Sequence, residues 1–234
     1  ISGDIDIDGT TNLDAVDIDG AVQIDATLSV GVDDTGYDVK FFGATASAYM
    51  LWDQSADDLI LGGAAGLVVN GEISTTSAGT SNFRAGVNAG NSIESGGNYN
   101  VVVGDEAGTA ITTGDSNTFL GYQSGDATTT SSNNTAVGFE SLTTNTTGGQ
   151  NTAFGTLTLK ANTTGASNVA VGYGALDSNT TAADNVGVGY NALTANTTGA
   201  SNVAIGRNAL DANTTASNNT AVGYASLGAN TTGT

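Results

Sequence analysis

Asp177 and Asp211 are the carboxylates whose spacing first suggests chemistry. They hold one repeat position two coils apart, about 9.6 Å by strand spacing, near the ~6.5–9.5 Å separation of inverting glycosidases. Lys160 and Thr194 share their column, and no feature marks a desolvated acid. The column is therefore expected to be merely exposed, with a polysaccharide depolymerase as the minor reading. Asp4-Ile-Asp6-Ile-Asp8-Gly9 matches the first half of a calcium-binding loop, but its twelfth position is Ala15 instead of a bidentate Glu. A solvated strand face is expected there, and Asp4, Asp6 and Asp8 stay a weak metal candidate. Tyr122, Phe139, Tyr173, Tyr190 and Tyr224 recur at one repeat position, interrupted by Thr156 and Arg207. Such a column could hold sugar rings, although a packing ladder is the simpler reading. The surface-contact candidates are Tyr173, Tyr190, Tyr224 and Arg207.

Composition removes most other chemistry. Among 234 residues there is no His, Cys or Pro. That excludes an imidazole base, a Ser-His-Asp triad, a thiolate nucleophile, a disulfide and a Cys-bearing zinc site. No catalytic residue and no cofactor is expected. Lys40, Arg84, Lys160 and Arg207 are the four basic residues against 23 acidic ones, for a net charge of −19. They cannot form a phosphate-tracking groove, and the excess negative charge opposes anionic membranes. No apolar run of about 18 residues exists to span a bilayer. The chain opens at Ile1 without an initiator Met, which suggests processing or a piece of a longer chain.

The elements that must position these residues repeat. Asn134, Asn151, Asn168, Asn185, Asn202 and Asn219 each open a unit of the type Asn-x-Ala-Val-Gly and lie 17 residues apart. Looser copies begin at Asn100 and Asn117, and a degenerate one, with an extra residue, at Asn82. Leu142, Leu159, Leu176, Leu193, Leu210 and Leu227 form a second column, and a later Asn-Thr-Thr a third. A fixed period of this kind means a stacked repeat. Recurrent Gly and Asn-Thr-Thr exclude helices, and the Val alternation predicts strands. Two short strands per coil are expected, with Gly and Asn at the corners. The Val and Leu columns are expected to form the core, and the Asn columns to form amide ladders. Asn-Thr-Thr also fits a glycosylation acceptor, but a turn with a polar ladder is expected. Eight coils would span roughly 38 Å. Only about three large apolar residues per coil make a thin core. Small residues precede each Leu (Ser141, Thr158, Ala175, Ala192, Ala209, Ser226) and suggest close approach by a neighbouring chain.

The N-terminal text differs. Residues 1–72 hold 14 acids and one Lys, against nine acids and three basic residues in 73–234. Residues 1–30 read as an acidic β-repeat stalk and 31–73 as a small β-meander. Residues 74–99 read as a transition with a degenerate coil, and 100–234 as the solenoid. The aromatics Tyr37, Phe41, Phe42, Tyr49 and Trp52 suggest that the most compact core lies in the meander.

The units Asn168-Val-Ala-Val-Gly and Asn202-Val-Ala-Ile-Gly resemble the head repeats of trimeric autotransporter adhesins, which are left-handed parallel β-rolls. The longer repeat over about 100–234 resembles tail-fibre and virion structural proteins of marine bacteriophages. So do Gly31-Val-Asp-Asp-Thr-Gly-Tyr-Asp-Val-Lys-Phe-Phe-Gly43 and Tyr49-Met-Leu-Trp-Asp53. The resemblance implies a homotrimeric, all-β, parallel β-solenoid fibre at a virion surface or otherwise extracellular. Its partners would be its own copies, other virion proteins and host surface glycans. A cell-surface adhesin or extracellular filament is the alternative. An ice-binding solenoid fits poorly, because the Thr pair is adjacent and at a corner.

Overall fold

The computed structural model describes residues 38–42, 48–53, 58–62 and 78–233. The chain divides into two compact units, Ile1–Gly71 and Glu72–Thr234. The expected stalk, with Asp4, Asp6 and Asp8, lies outside the described residues. Among those residues no helix occurs, so none is long and apolar enough to cross a membrane.

In the first unit β1 (Val39–Phe42), β2 (Tyr49–Asp53) and β3 (Asp58–Gly62) form an antiparallel meander in that order. Val39, Trp52 and Leu59 are paired across the sheet, and Phe41, Met50 and Leu61 form the next row on the same face. Lys40 instead places its ammonium 3.7 Å from the Tyr49 ring centroid. The expectation of the most compact core here is corrected. Among the described residues Phe41, Phe42 and Trp52 are exposed, and the large buried side chains lie in the second unit.

The second unit is a parallel β-solenoid. Its strands are β4 (Phe83–Ala85), β5 (Val101–Val103), β6 (Thr118–Leu120), β7 (Thr135–Val137), β8 (Thr152–Phe154), β9 (Val169–Val171), β10 (Val186–Val188), β11 (Val203–Ile205) and β12 (Thr220–Val222). They stack in chain order in one nine-stranded sheet. Each residue pairs with its counterpart one repeat on, as Val169 with Val186. The degenerate coil joins in register, Phe83 opposite Val101, so its extra residue is absorbed outside the strand.

Each coil carries one strand, not two. In the coil from Asn168 the strand stops at Gly172 (φ +118°), and Gly174 and Leu176 follow with φ of +61° and +54°. Left-handed residues this close together cannot sustain a second strand. Coils still bond to one another beyond the strand, as where the Leu176 N–H donates to the Ala192 carbonyl at 3.0 Å. Glycine is required after the strand: a Cβ on Gly172 would lie 2.7 Å from the Gly189 carbonyl oxygen.

The inward face is also not the expected one. The leading Asn points inward, so alternation sends the middle strand residue inward and its flanking residues outward. Ala136, Ala153, Ala170 and Ala204 are fully buried, while Val169 and Val171 are half-buried on the outer surface. The Leu residues from Leu142 to Leu210 are buried, but Leu227 is exposed. Their corner conformation (φ +49° to +58°) disfavours a branched chain by ~1–2 kcal/mol. Burying the side chain offsets this with about 2 kcal/mol. The small column of Ser141, Thr158, Ala175, Ala192 and Ala209 is wholly buried. It makes room inside the coil and offers no approach to a neighbour, which corrects that expectation.

The looser early copies are a repacked version of the same interior. Where later coils have Leu, these have Gly108 and Gly125. Where later coils have Ala, these have Val102 and Phe119. A Cβ on Gly125 would meet the Phe119 ring at 2.5 Å, and one on Gly108 would meet Val102 at 2.8 Å. The interior volume is kept while the bulk moves from the corner to the strand.

Candidate functional site

Two columns of asparagine fill the interior where a larger protein would place hydrocarbon. The backbone N–H of Asn151, Asn168, Asn185, Asn202 and Asn219 each donates to the Oδ1 of the Asn one coil earlier, at 2.9–3.0 Å. The same bond links Asn82, Asn100, Asn117 and Asn134, so the ladder runs unbroken from Asn82 to Asn219. A second ladder links Asn145, Asn162, Asn179, Asn196 and Asn213 through Nδ2–H to Oδ1 bonds of 2.9–3.1 Å. These five amides open the Asn-Thr-Thr segments and are fully buried. Their hydrogen-bonded Nδ2 groups are closed to glycosylation in the folded coil.

The aromatic column lies on the outside, after the strand-ending glycine. Tyr122 and Phe139 stack at 5.4 Å between centroids, and Tyr173 and Tyr190 at 5.3 Å. Arg207 places its guanidinium 5.3 Å from the Tyr190 centroid. Both faces of Tyr190 are therefore occupied, by a ring and by a cation. Tyr224 is the most exposed member at 74%. Thr156 interrupts the column between Phe139 and Tyr173, and in its coil Lys160 forms a 2.7 Å ion pair with Glu140. That bond holds the Lys160 ammonium above its usual pKa. The negative charge of Glu106, with some burial, pushes the Tyr122 phenol up.

Asp177 is partly buried, and burial pushes its carboxyl above the ordinary range while nearby Lys160 opposes the shift. The expectation of a merely exposed column without a desolvated acid is corrected in this respect. Asp211 lies two coils further along the same column, with Thr194 between.

The outward strand residues form a surface that the Val alternation had placed in the core. Leu120, Phe154, Ile205 and Val222 are exposed on one column. Beside them run Val101, Val169, Val186 and Val203. The available signal was the leading Asn: a polar residue with an inward role fixes the direction of every strand residue after it. The Lys160–Glu140 pair had no signal, since the two occupy different repeat positions.

No family model, curated protein or solved structure matches the chain.

Proposed function

We propose that the chain is a non-catalytic structural fibre protein that assembles as a homotrimer through the outward face of its solenoid strands. The observation that carries this is the unbroken apolar outward column from Val103 to Val222, beside which the first strand position carries Val101, Val169, Val186 and Val203 in some coils and Thr118, Thr135, Thr152 and Thr220 in others. At ~4.8 Å per strand and ~7 Å between alternate residues, the face and its aromatic border cover on the order of 600 Å². That is at the top of the ~300–600 Å² range for the largest patch of a monomer. Specific partners each bury ~800 Å², so this face would supply most, not all, of one side of a contact between copies of the chain. Identical columns on each copy keep one register along the whole face. The number three and the setting on a phage particle follow the resemblance of the repeats to adhesin heads and tail fibres. A cell-surface adhesin or extracellular filament uses the same surfaces, and the Asn-x-Ala-Val-Gly units support it. Host contact falls on the repeat surface, where weak sites gain from repetition. Asp177 and Asp211 are a poor depolymerase pair, because they share one repeat column with Thr194 between them and Lys160 one coil before Asp177.

Sedimentation equilibrium tests the assembly. Three times the 23.0 kDa of one chain is expected, and a stable monomer overturns the reading. The double variant Val171→Glu, Val188→Glu should release folded monomers, because both side chains lie outside the coil. Replacing Tyr173, Tyr190 and Tyr224 with Ser separates contact from packing. Lost attachment to host cells with an intact trimer marks a contact surface. A loosened trimer with unchanged attachment per fibre marks packing.

A further inference from the structure

We infer that the interruption of the aromatic column at Thr156 is a binding slot for one neutral pyranose ring, walled by Phe139 and Tyr173. This deepens the host-glycan part of the reading above and rests on it. The slot follows from the stacking repeat. Neighbouring rings in the column lie 5.3–5.4 Å apart. Phe139 and Tyr173 are two coils apart, about 9.6 Å by strand spacing, which is the separation of two rings with a third between them. The intermediate coil carries Thr156 in place of that ring. Phe139 is stacked on Tyr122 and Tyr173 on Tyr190. Each therefore turns its remaining face toward the Thr156 level, and both are 47% exposed.

The contrast with Arg207 shows why Thr156 differs. Both residues interrupt the column, but Arg207 lays its guanidinium on Tyr190 and so fills its own level. Thr156 has no side chain long enough to do this. The rim selects the occupant. The Lys160–Glu140 pair joins the coil of Thr156 to that of Phe139, with the Lys160 side chain 42% exposed and close enough to Tyr173 to be affected by its phenol. It offers N–H donors and carboxylate acceptors in one place. A pyranose has apolar C–H faces for the two aromatic walls and hydroxyls at its edge for that pair. The Lys160 charge is already matched by Glu140, and Asp177 lies close enough to Lys160 to affect its titration. An acidic sugar would meet this local negative charge, so a neutral one is selected. Each slot binds weakly, and a trimer carries three.

The test is saturation-transfer NMR on the full chain with methyl glycosides of glucose, galactose and N-acetylglucosamine as probes. At least one should receive saturation on its axial C–H protons. Thr156→Tyr should weaken it by at least about tenfold, since a tyrosine completes the column. That variant should fold, because Tyr occupies the same position in other coils. Tyr99→Ser, at an exposed tyrosine outside the column whose repeat position carries Ser116 and Ser167 in other coils, should leave binding unchanged. Saturation of none of the three glycosides overturns the slot, as does equal saturation in Thr156→Tyr. Sedimentation of the same samples keeps the two readings apart. A wild-type trimer without sugar binding rejects the slot and leaves the fibre. A Thr156→Tyr protein that no longer trimerises assigns the slot to a second copy of the chain and also rejects the proposal.

Discussion

Asn168 and Asn179, 11 residues apart in one coil, donate their side-chain amides to the same carbonyl oxygen, that of Ala182, at 2.9 and 3.1 Å. One acceptor thereby ties the strand and the far corner together across the interior. Each amide also bonds to the preceding coil, Asn168 to Asn151 and Asn179 to Asn162. The two columns close the coil and set the stacking register together. This is why a thin apolar core suffices: buried polar groups are costly only when unpaired.

Asn168→Ala should therefore cost much more than a surface substitution. It removes the acceptor for the Asn185 backbone N–H and for its Nδ2. It also removes the Nδ2 donors to the Asn151 Oδ1 and the Ala182 carbonyl. A buried N–H left unpaired costs ~1–3 kcal/mol, and together the losses should reach about 3 kcal/mol or more. Urea unfolding of the intact assembly measures this. A loss under about 1 kcal/mol would mean that water replaces the amide.

Thr128 gives the opposite sign. It stands where the second ladder would continue below Asn145, and its Oγ1 is buried without a hydrogen-bond partner. Thr128→Val replaces that hydroxyl by a methyl of similar size. The variant should gain about 1 kcal/mol, seen as a higher urea midpoint with unchanged slope. A destabilised Thr128→Val would show that the hydroxyl is satisfied in solution.

These columns also show what the sequence made legible. The spacing of Asn134 to Asn219 was enough for a parallel solenoid with one register, because a period of identical residues has few other physical solutions. The direction of the side chains was not legible from hydrophobicity. Val169 and Val171 look like core residues, and only the inward role of Asn168 places them outside. The corner role of Leu176 was hidden too, since a left-handed Leu is disfavoured unless its burial compensates. Gly108 and Gly125 at the same position were the clue, because glycine adopts that conformation freely. The stacked pairs Tyr122–Phe139 and Tyr173–Tyr190 were legible as a column. The Lys160–Glu140 ion pair depends on side-chain reach, which repeat alignment does not encode.

Asp177 makes a pH prediction. Burial raises its carboxyl pKa in the folded chain above the ordinary value of 3.8. Between that value and the raised one, the folded state binds more protons than the unfolded state. Stability from this group is thus present at low pH and is lost as pH rises through the window. Asp177→Asn removes the ionisation. Relative to wild type, the variant should gain stability as pH climbs from about 3 to about 7. Lys160→Met should steepen the wild-type loss, because Lys160 lowers the Asp177 pKa. Urea midpoints for the three proteins across this range provide the comparison. Parallel wild-type and Asp177→Asn curves would sink the assignment.

The exchange of bulk between strand and corner yields a coupling prediction. Phe119 with Gly125 in one coil occupies the interior that Ala136 with Leu142 occupies in the next. Phe119, Ala136 and Leu142 are all fully buried. Leu142→Gly alone leaves a cavity and should cost about 3 kcal/mol, reduced slightly because glycine relieves the left-handed corner at φ +58°. Ala136→Phe alone forces a ring against Leu142 and should cost ~1–3 kcal/mol or more. The double variant rebuilds the Phe119–Gly125 arrangement one coil further along. The introduced ring would then lie beside Phe119 on the parallel pair β6–β7, where Phe119 already faces Ala136. The coupling should favour the double variant by about 2 kcal/mol over the sum of the single losses. A double-mutant cycle from urea unfolding measures this coupling at fixed chain concentration, so that assembly contributes equally to each corner. Strict additivity would show that the early coils hold their large strand residues for a reason other than the missing leucines.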